Sequence, residues 1–354
     1  MLCTESPKVI IDYLFINRDG VSDSGYVLYL TFLYKLIGPN IFITRVLKSI
    51  ISAFTCILLY RITTRLTCEQ VGRMAGVFAC FMPNLVIYCG LHLKETEMLF
   101  LVVAFMERAD YLIRSKHYNV LNIALPVLLA LSLFTFRTVL GAAAIFAFAT
   151  AIVFTQTRVI GRGKRIMLIA WGILAVATLA GGTLATEIEG YWEMRDTNED
   201  AKRSAQMASG ANWAQYATGA VMAPMIFVLP FPTMVDVDEQ YNQQIMQGGN
   251  FVRNFMGIFV LIAMFDAIFK RKNWRNFALV GGYVIAYLGV ISVSGYANAE
   301  RFLLPGLPAL IIFWAYGMSL LDAKYYKWVK VWYWVTPIMS FAWAFFKIGS
   351  RGMF

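Results

Sequence analysis

The stretch of this chain best equipped for chemistry is Leu91-His92-Leu93-Lys94-Glu95-Thr96-Glu97. It holds one of only two histidines, a lysine and two carboxylates, and it lies between the apolar runs 71–88 and 98–106. Such a cluster at the end of an apolar run makes a polar wall at a membrane surface. A cation there suits an anionic ligand such as a lipid phosphate. A carboxylate there can take a proton from a hydroxyl. A plainer account competes: a helix N-terminus favours carboxylates, so Glu95 and Glu97 can simply serve the first turn of the next helix. Lys94 does not fit that account, because the helix dipole disfavours a cation at that end.

Other charged residues share this setting. Arg137 sits in Phe134-Thr135-Phe136-Arg137-Thr138, a tight turn between two apolar runs. Its alternative role is to anchor in lipid headgroups. Arg301 opens Arg301-Phe302-Leu303-Leu304-Pro305-Gly306-Leu307-Pro308, where two prolines predict a distorted first turn. Backbone groups freed at membrane depth are tolerated where they line a cavity. Asp12, Asp19 and Asp23 supply carboxylates in the polar start of the chain. Lys48 is the clearest ionisable group inside an apolar run. Ionisable groups near membrane spans are functional candidates by default, because burying them unpaired is expensive.

Segment 186–250 is long and polar at both ends. Its centre, 217–231, is apolar, and Pro224, Pro230 and Pro232 fit a re-entrant or interfacial piece. Tyr191, Trp192, Trp213 and Tyr216 can stack on sugar rings or form an aromatic belt. Asp236-x-Asp238-Glu239 is the only metal-like triplet singled out; a lone triplet of this kind supports a divalent metal weakly, and no cofactor is assigned. There is no GxxxxGK, HExxH or GxSxG, so nucleotide-driven and hydrolase readings have no motif to rest on. The five cysteines show no metal or CxxC spacing and are read as packing residues.

The elements that must position these residues follow from composition. The chain is 59% hydrophobic and 15% charged over 354 residues, against about 25% charged for a soluble domain. The excess falls in runs of the roughly 20 residues that cross a bilayer. The fold class is therefore an all-α polytopic membrane protein with about ten transmembrane helices, since a barrel would alternate in short segments. The spans are expected near 41–62, 71–90 with a kink at Pro83, 95–113, 119–136, 139–157, 166–185, 252–270, 276–296, 302–321 and 328–346. Residues 26–37 are too short to span and read as a helix lying in the interface, ended by Gly38-Pro39-Asn40. The organisation is then an outer polar segment 1–40, membrane helices 41–185, a large outer loop 186–250, membrane helices 251–346 and a tail 347–354. Residues 1–25 lack the apolar core of a cleavable signal.

Lysine and arginine orient the spans. Alternate loops carry Arg61, Arg65 and Arg73, then Arg108, Arg114 and Lys116, then Arg158 to Arg165, Lys270 to Arg275, and Lys324 to Lys330. Those loops are assigned to the cytoplasm. The 91–97 stretch, Arg137, the 186–250 segment and the 297–301 turn then face outward. The net charge of +10 is accounted for by this asymmetry and is no sign of nucleic-acid binding.

Three stretches resemble the GT-C superfamily of membrane glycosyltransferases, in particular its family-39-like branch of protein mannosyltransferases and the aminoarabinose transferase of lipid A. They are Gly25-Tyr26 to Gly38 with the following span and Arg45, Pro83-Asn84 to Glu95, and Arg301-Phe302-Leu303-Leu304-Pro305-Gly306-Leu307-Pro308. The resemblance implies an inverting glycosyltransferase on the outer face of a bacterial cytoplasmic membrane. Its donor would be a polyprenyl-phosphate-linked sugar, and its acceptor a hydroxyl of a glycan, lipid or protein. It implies Lys94, Arg137, Arg301 and His92 as donor-phosphate contacts. The family's base follows a first span that would precede residue 1, which leaves Asp12, Asp19, Asp23 and Glu95 as candidates. Two rival readings are an O-antigen-type polysaccharide polymerase and a transporter or flippase of a lipid-linked oligosaccharide.

Overall fold

The computed structural model describes residues 24–115, 120–154, 243–293 and 300–350. All regular structure among them is helical. α1 runs Ser24–Ile37, about 21 Å at 1.5 Å per residue, short of a hydrocarbon core of about 30 Å. It ends at Gly38, whose φ of 81° is the left-handed conformation that glycine adopts without a Cβ penalty. Asn40 then caps α2, its side chain accepting from the amides of Phe42 at 2.9 Å and Ile43 at 3.3 Å. The expected break at 38–40 thus has a physical cause on each side.

α2 spans Ile41–Leu66, α3 Glu69–Phe81 and α4 Pro83–Gly90. α3 and α4 meet at a 48° bend. Pro83 has no amide hydrogen to continue the α3 ladder and instead starts α4. α5 runs Glu95–Arg114, α6 Val120–Phe136 and α7 Thr138–Phe154, with Arg137 as the single residue between the last two. α8, Gln243–Phe265, continues through a wide π turn, Asp266–Lys270, and a 3₁₀ turn, Trp274–Phe277, leads into α9, Ala278–Val293. The short α10, Glu300–Leu303, passes through a 3₁₀ turn, Leu304–Gly306, to α11, Leu307–Ser319. α12 is Ala323–Ser350, capped by Asp322, which accepts from the Lys324 and Tyr325 amides at 3.1 and 2.9 Å.

Among the described residues, four stretches of helix are long and apolar enough to cross a membrane: Ile41–Leu66, Gly249–Lys270, Trp274–Ile291 and Arg301–Ser319. The bent α3–α4 pair makes a fifth. The chain is therefore read as a multi-pass helical membrane protein. α2 presents Phe42, Val46, Ile50, Phe54 and Ile57 outward, a stripe that a soluble protein would bury and that lipid accepts. α5 is long enough to span but carries Glu95, Glu97, Glu107, Arg108, Asp110 and Arg114. It is buried along most of its length against α2, α4, α6, α7, α9 and the Leu304–Gly306 turn, so it is the central post of the bundle. α1 does not span; its Gly25 lies so close to Thr135 and Phe136 that a Cβ there would collide with them.

The seventh expected span, 252–270, agrees to within a few residues with the apolar stretch Gly249–Lys270. Residues 243–250, the end of the expected outer loop, are the first turns of α8. Gly249 is the place where α8 presses on Asn84 of α4 with no room for a side chain. The sixth expected span, 166–185, lies outside the described residues, as do Asp12, Asp19, Asp23 and the 186–242 part of the loop.

Candidate functional site

The site is built at the N-terminal end of α5. α4 ends in the extended Leu91, and Lys94 begins α5 in helical geometry without a side-chain cap. Glu95 and Glu97 occupy the first turn, where the dipole favours them. Yet Glu95 is 0% and Glu97 5% exposed. Carboxylates serving only the dipole have no reason to leave water, so their burial needs partners. Lys48, 0% exposed on α2, places its ammonium 3.3 Å from Glu97 Oε2. The same ammonium donates to the carbonyl of Leu91 at 3.2 Å and to that of Leu93, and it sits 5.4 Å from the centre of the Tyr26 ring. Lys48 thus ties α1, α2, the 91–94 turn and α5 together with one buried charge.

Glu95 faces the other way. Its Oε1 lies 3.3 Å from Nε of Arg301, whose side chain is 48% exposed. Among the described residues, neither carboxylate has an aligned hydrogen bond, so both contacts are ion pairs at less than ideal geometry. The Arg301 backbone owes its position to the expected distortion, which runs α, then 3₁₀, then α through Pro305 and Pro308. Two buried tyrosines of α9 satisfy carbonyls there. The Tyr287 hydroxyl donates to Phe302 O at 2.7 Å, and that of Tyr283 to Pro305 O at 3.4 Å. Arg137, nearly fully buried in its one-residue turn, donates through Nη1 to the Tyr287 hydroxyl at 3.4 Å. Its guanidinium lies 4.3 Å from the Phe302 ring centre, and that of Arg301 lies 5.6 Å from the same ring. Phe302 therefore collects both arginines beside Glu95.

His92 and Lys94 stand on the turn that Lys48 holds. His92 Nε2 pairs with the Tyr34 hydroxyl at 3.2 Å, and its ring meets Tyr26 edge-on. Burial first, then the neighbouring Lys48 and Arg45, hold its pKa below the ordinary value. His92 is thus neutral at neutral pH and acts as a hydrogen-bonding group rather than as a cation. Lys94 is half-buried at the start of α5. One to two turns below the 91–94 turn, where α4 meets α8, Asn84, Arg253 and Asn254 are fully buried. No group of three metal-ligating side chains occurs among the described residues.

The far end of α5 shows what a purely structural charge network looks like here. Arg65 meets Glu107 Oε1 at 2.6 Å and Asp110 Oδ2 at 3.2 Å. Arg108 meets Glu107 Oε2 at 3.0 Å, and Arg114 meets Asp110 Oδ1 at 2.7 Å. At the same end Asp266 accepts from the Tyr316 hydroxyl at 3.0 Å and faces Arg271 at 3.2 Å. These carboxylates are stapled by short contacts. The two ends of α5 are about 30 Å apart, a hydrocarbon thickness. The residues that the charge pattern assigns to opposite membrane sides accordingly gather at opposite ends of the bundle.

Of the residues singled out from sequence, Glu95, Arg137 and Arg301 meet at one corner, with His92 and Lys94 on the adjoining turn. Glu97, the second carboxylate of the 91–97 cluster, joins the corner through Lys48. Lys48, Phe302 and Tyr287 complete it without having been assigned to it, and of these Lys48 alone carried a signal, as a charge inside an apolar run. Comparison with known protein families, curated proteins and solved structures finds no match to the chain.

Proposed function

We propose that the chain is a GT-C-like glycosyltransferase of a bacterial cytoplasmic membrane, with the Glu95 end of the bundle facing outward. It would move a sugar from a polyprenyl-phosphate donor to an acceptor hydroxyl of a glycan, lipid or protein. One observation carries the reading: a buried carboxylate, Glu95, pairs with Arg301, and Arg301 shares one aromatic ring with the buried Arg137 at the end of an apolar bundle. Arg301 and Arg137 would hold the donor phosphate, with Lys94 and His92 at its edge. The acceptor oxygen bonds to the anomeric carbon from the face opposite the phosphate. The carbon–phosphate oxygen bond breaks, and its electron pair leaves on the phosphate, whose growing charge the fixed guanidiniums stabilise. The hydroxyl proton passes to a carboxylate, and among the described residues Glu95 is the one beside the phosphate ligands. Asp12, Asp19 and Asp23 are the other candidates for this role.

The test is transfer from a radiolabelled polyprenyl-phosphate sugar by membranes containing the chain. Glu95→Gln is expected to lower the rate by about 10²–10⁴, and Arg301→Ala by about 10²–10³. Unchanged rates in both would remove the assignment.

A second reading draws on Lys48 and Glu97. An ion pair sealed among apolar helices is also how transporters carry polar groups through a bilayer. A flippase would move a fluorescent lipid-linked sugar across proteoliposome membranes without forming a new glycosidic bond.

A further inference from the structure

The two carboxylates of the α5 first turn have unlike partners. Glu97 faces a lysine that is fully buried and bound to two backbone carbonyls as well, so Lys48 cannot leave without breaking the turn. Glu95 faces an arginine whose side chain is about half exposed and whose contact is made through Nε at 3.3 Å without hydrogen-bond alignment. Arg301 also rests on Phe302, the ring that Arg137 covers more closely. One pair is fixed and the other is open on the cation's side.

We infer that Arg301 is an exchangeable partner: a phosphodiester anion that binds at the Arg137–Phe302–Arg301 corner competes with Glu95 for Arg301 and frees the carboxylate. In the empty site Arg301 neutralises Glu95 and keeps its buried charge compensated. When the anion arrives, the guanidinium turns its donors to the phosphate, and Phe302 serves as the surface on which it swings. The charged and titratable groups around Glu95 are Glu97 on its own helix, Lys48 and Tyr26 on the α1–α2 side, Tyr287 on α9, Arg137 and Arg301. Of these described groups, Arg301 has the exposed side chain that can change partner. This rests on reading Arg301 as a phosphate ligand, and it makes the base available only when the donor is in place. It does not depend on which sugar moves, or on whether one moves.

The experiment is equilibrium binding to the detergent-solubilised full chain. Two probes are used: geranyl phosphoglucose, a prenyl phosphodiester, and dihexanoyl phosphatidylglycerol, a headgroup phosphodiester. Glu95→Gln removes the competitor, so binding tightens by roughly three- to tenfold. Arg301→Gln weakens it by tenfold or more. Glu69→Gln removes the same unit of charge from an exposed carboxylate at the opposite end of the bundle, so it leaves affinity within about twofold of wild type. Equal tightening by Glu95→Gln and Glu69→Gln would mean a general net-charge effect and would overturn the exchange, as would no tightening by Glu95→Gln. An infrared difference spectrum of the wild-type protein gives a reading that needs no variant to fold. A carboxylate stretch that shifts on adding probe supports the exchange, and a spectrum without one contradicts it. The tighter of the two probes tells a prenyl donor from a bulk lipid headgroup. The binding pattern without any glucose transfer would retire the transferase reading and leave the exchange standing.

Discussion

Replacing Lys48 by methionine tests the buried anchor of the site most sharply, because the structure separates the two things that Lys48 does. The substitution keeps much of the side-chain length and removes the charge. Glu97, 6% exposed at its side chain, then loses the cation it is paired with among the described residues, and breaking a buried pair from one side costs about 3–5 kcal/mol. The carbonyls of Leu91 and Leu93 lose a donor too, a further loss of about 1–3 kcal/mol that charge removal elsewhere cannot repair. Adding Glu97→Gln to Lys48→Met removes the stranded charge but not the carbonyl loss. The double variant is therefore expected to be more stable than Lys48→Met alone by about 2–4 kcal/mol, yet less stable than wild type. At about 2–4 °C per kcal/mol, Lys48→Met lowers Tm by roughly 8–32 °C, and the second substitution restores about half. Thermal unfolding of the purified full chain in detergent, followed by tryptophan fluorescence, reads the order. If the double variant melts at or below Lys48→Met, the two side chains are not an energetic pair and the reasoning fails.

Three further outcomes are expected. Gly249→Val places a branched side chain where Asn84 already touches the backbone, so stability falls by several kcal/mol, whereas Gly38→Asn, at a left-handed turn with open space around it, changes Tm little. His92 has a folded pKa below its unfolded value of about 6.5, so the unfolded state binds more protons. Its contribution is fully present above about pH 6.5 and is lost as pH falls through the lowered value. The drop in Tm between pH 7.5 and 5.5 should therefore shrink in His92→Gln. Tyr287→Phe removes the hydroxyl that joins Arg137 to the Phe302 carbonyl, leaving a buried acceptor unpaired at about 1–3 kcal/mol. Binding of geranyl phosphoglucose is expected to weaken by roughly five- to 100-fold, with the helical circular dichroism unchanged.

Much of the framework was legible because it rests on local chemistry. Gly38 and Asn40 end one helix and start the next by backbone conformation and capping. Pro83 bends α3 into α4, and Pro305 with Pro308 distorts the entry to α11, because proline lacks the amide hydrogen each ladder needs. The alternation of basic loops sorted residues between the two ends of the bundle. What could not be read depends on register between helices far apart in sequence. Nothing local says that Lys48 of α2 reaches the carbonyls of 91–94, or that Phe302 rather than another phenylalanine carries two arginines. Nor does anything local say that Gly249 of α8 packs against Asn84 of α4, which fills the space of its missing side chain. The number of expected spans exceeds what is long and apolar enough among the described residues, since α6 and α7 have only 17 residues each, α5 is charged at both ends, and 166–185 lies outside the described residues.

The central claim is that the Glu95 and Arg301 corner performs sugar transfer. The most direct measurement is the single-turnover rate of labelled sugar transfer from a polyprenyl-phosphate donor by the purified chain. It compares wild type with Glu95→Gln, Arg301→Ala and, at the opposite end of α5, Arg114→Gln. The account predicts a loss of at least 100-fold in the first two and a rate within about threefold of wild type in the third. Equal rates in all four proteins, or no transfer by wild type with any such donor, would contradict it.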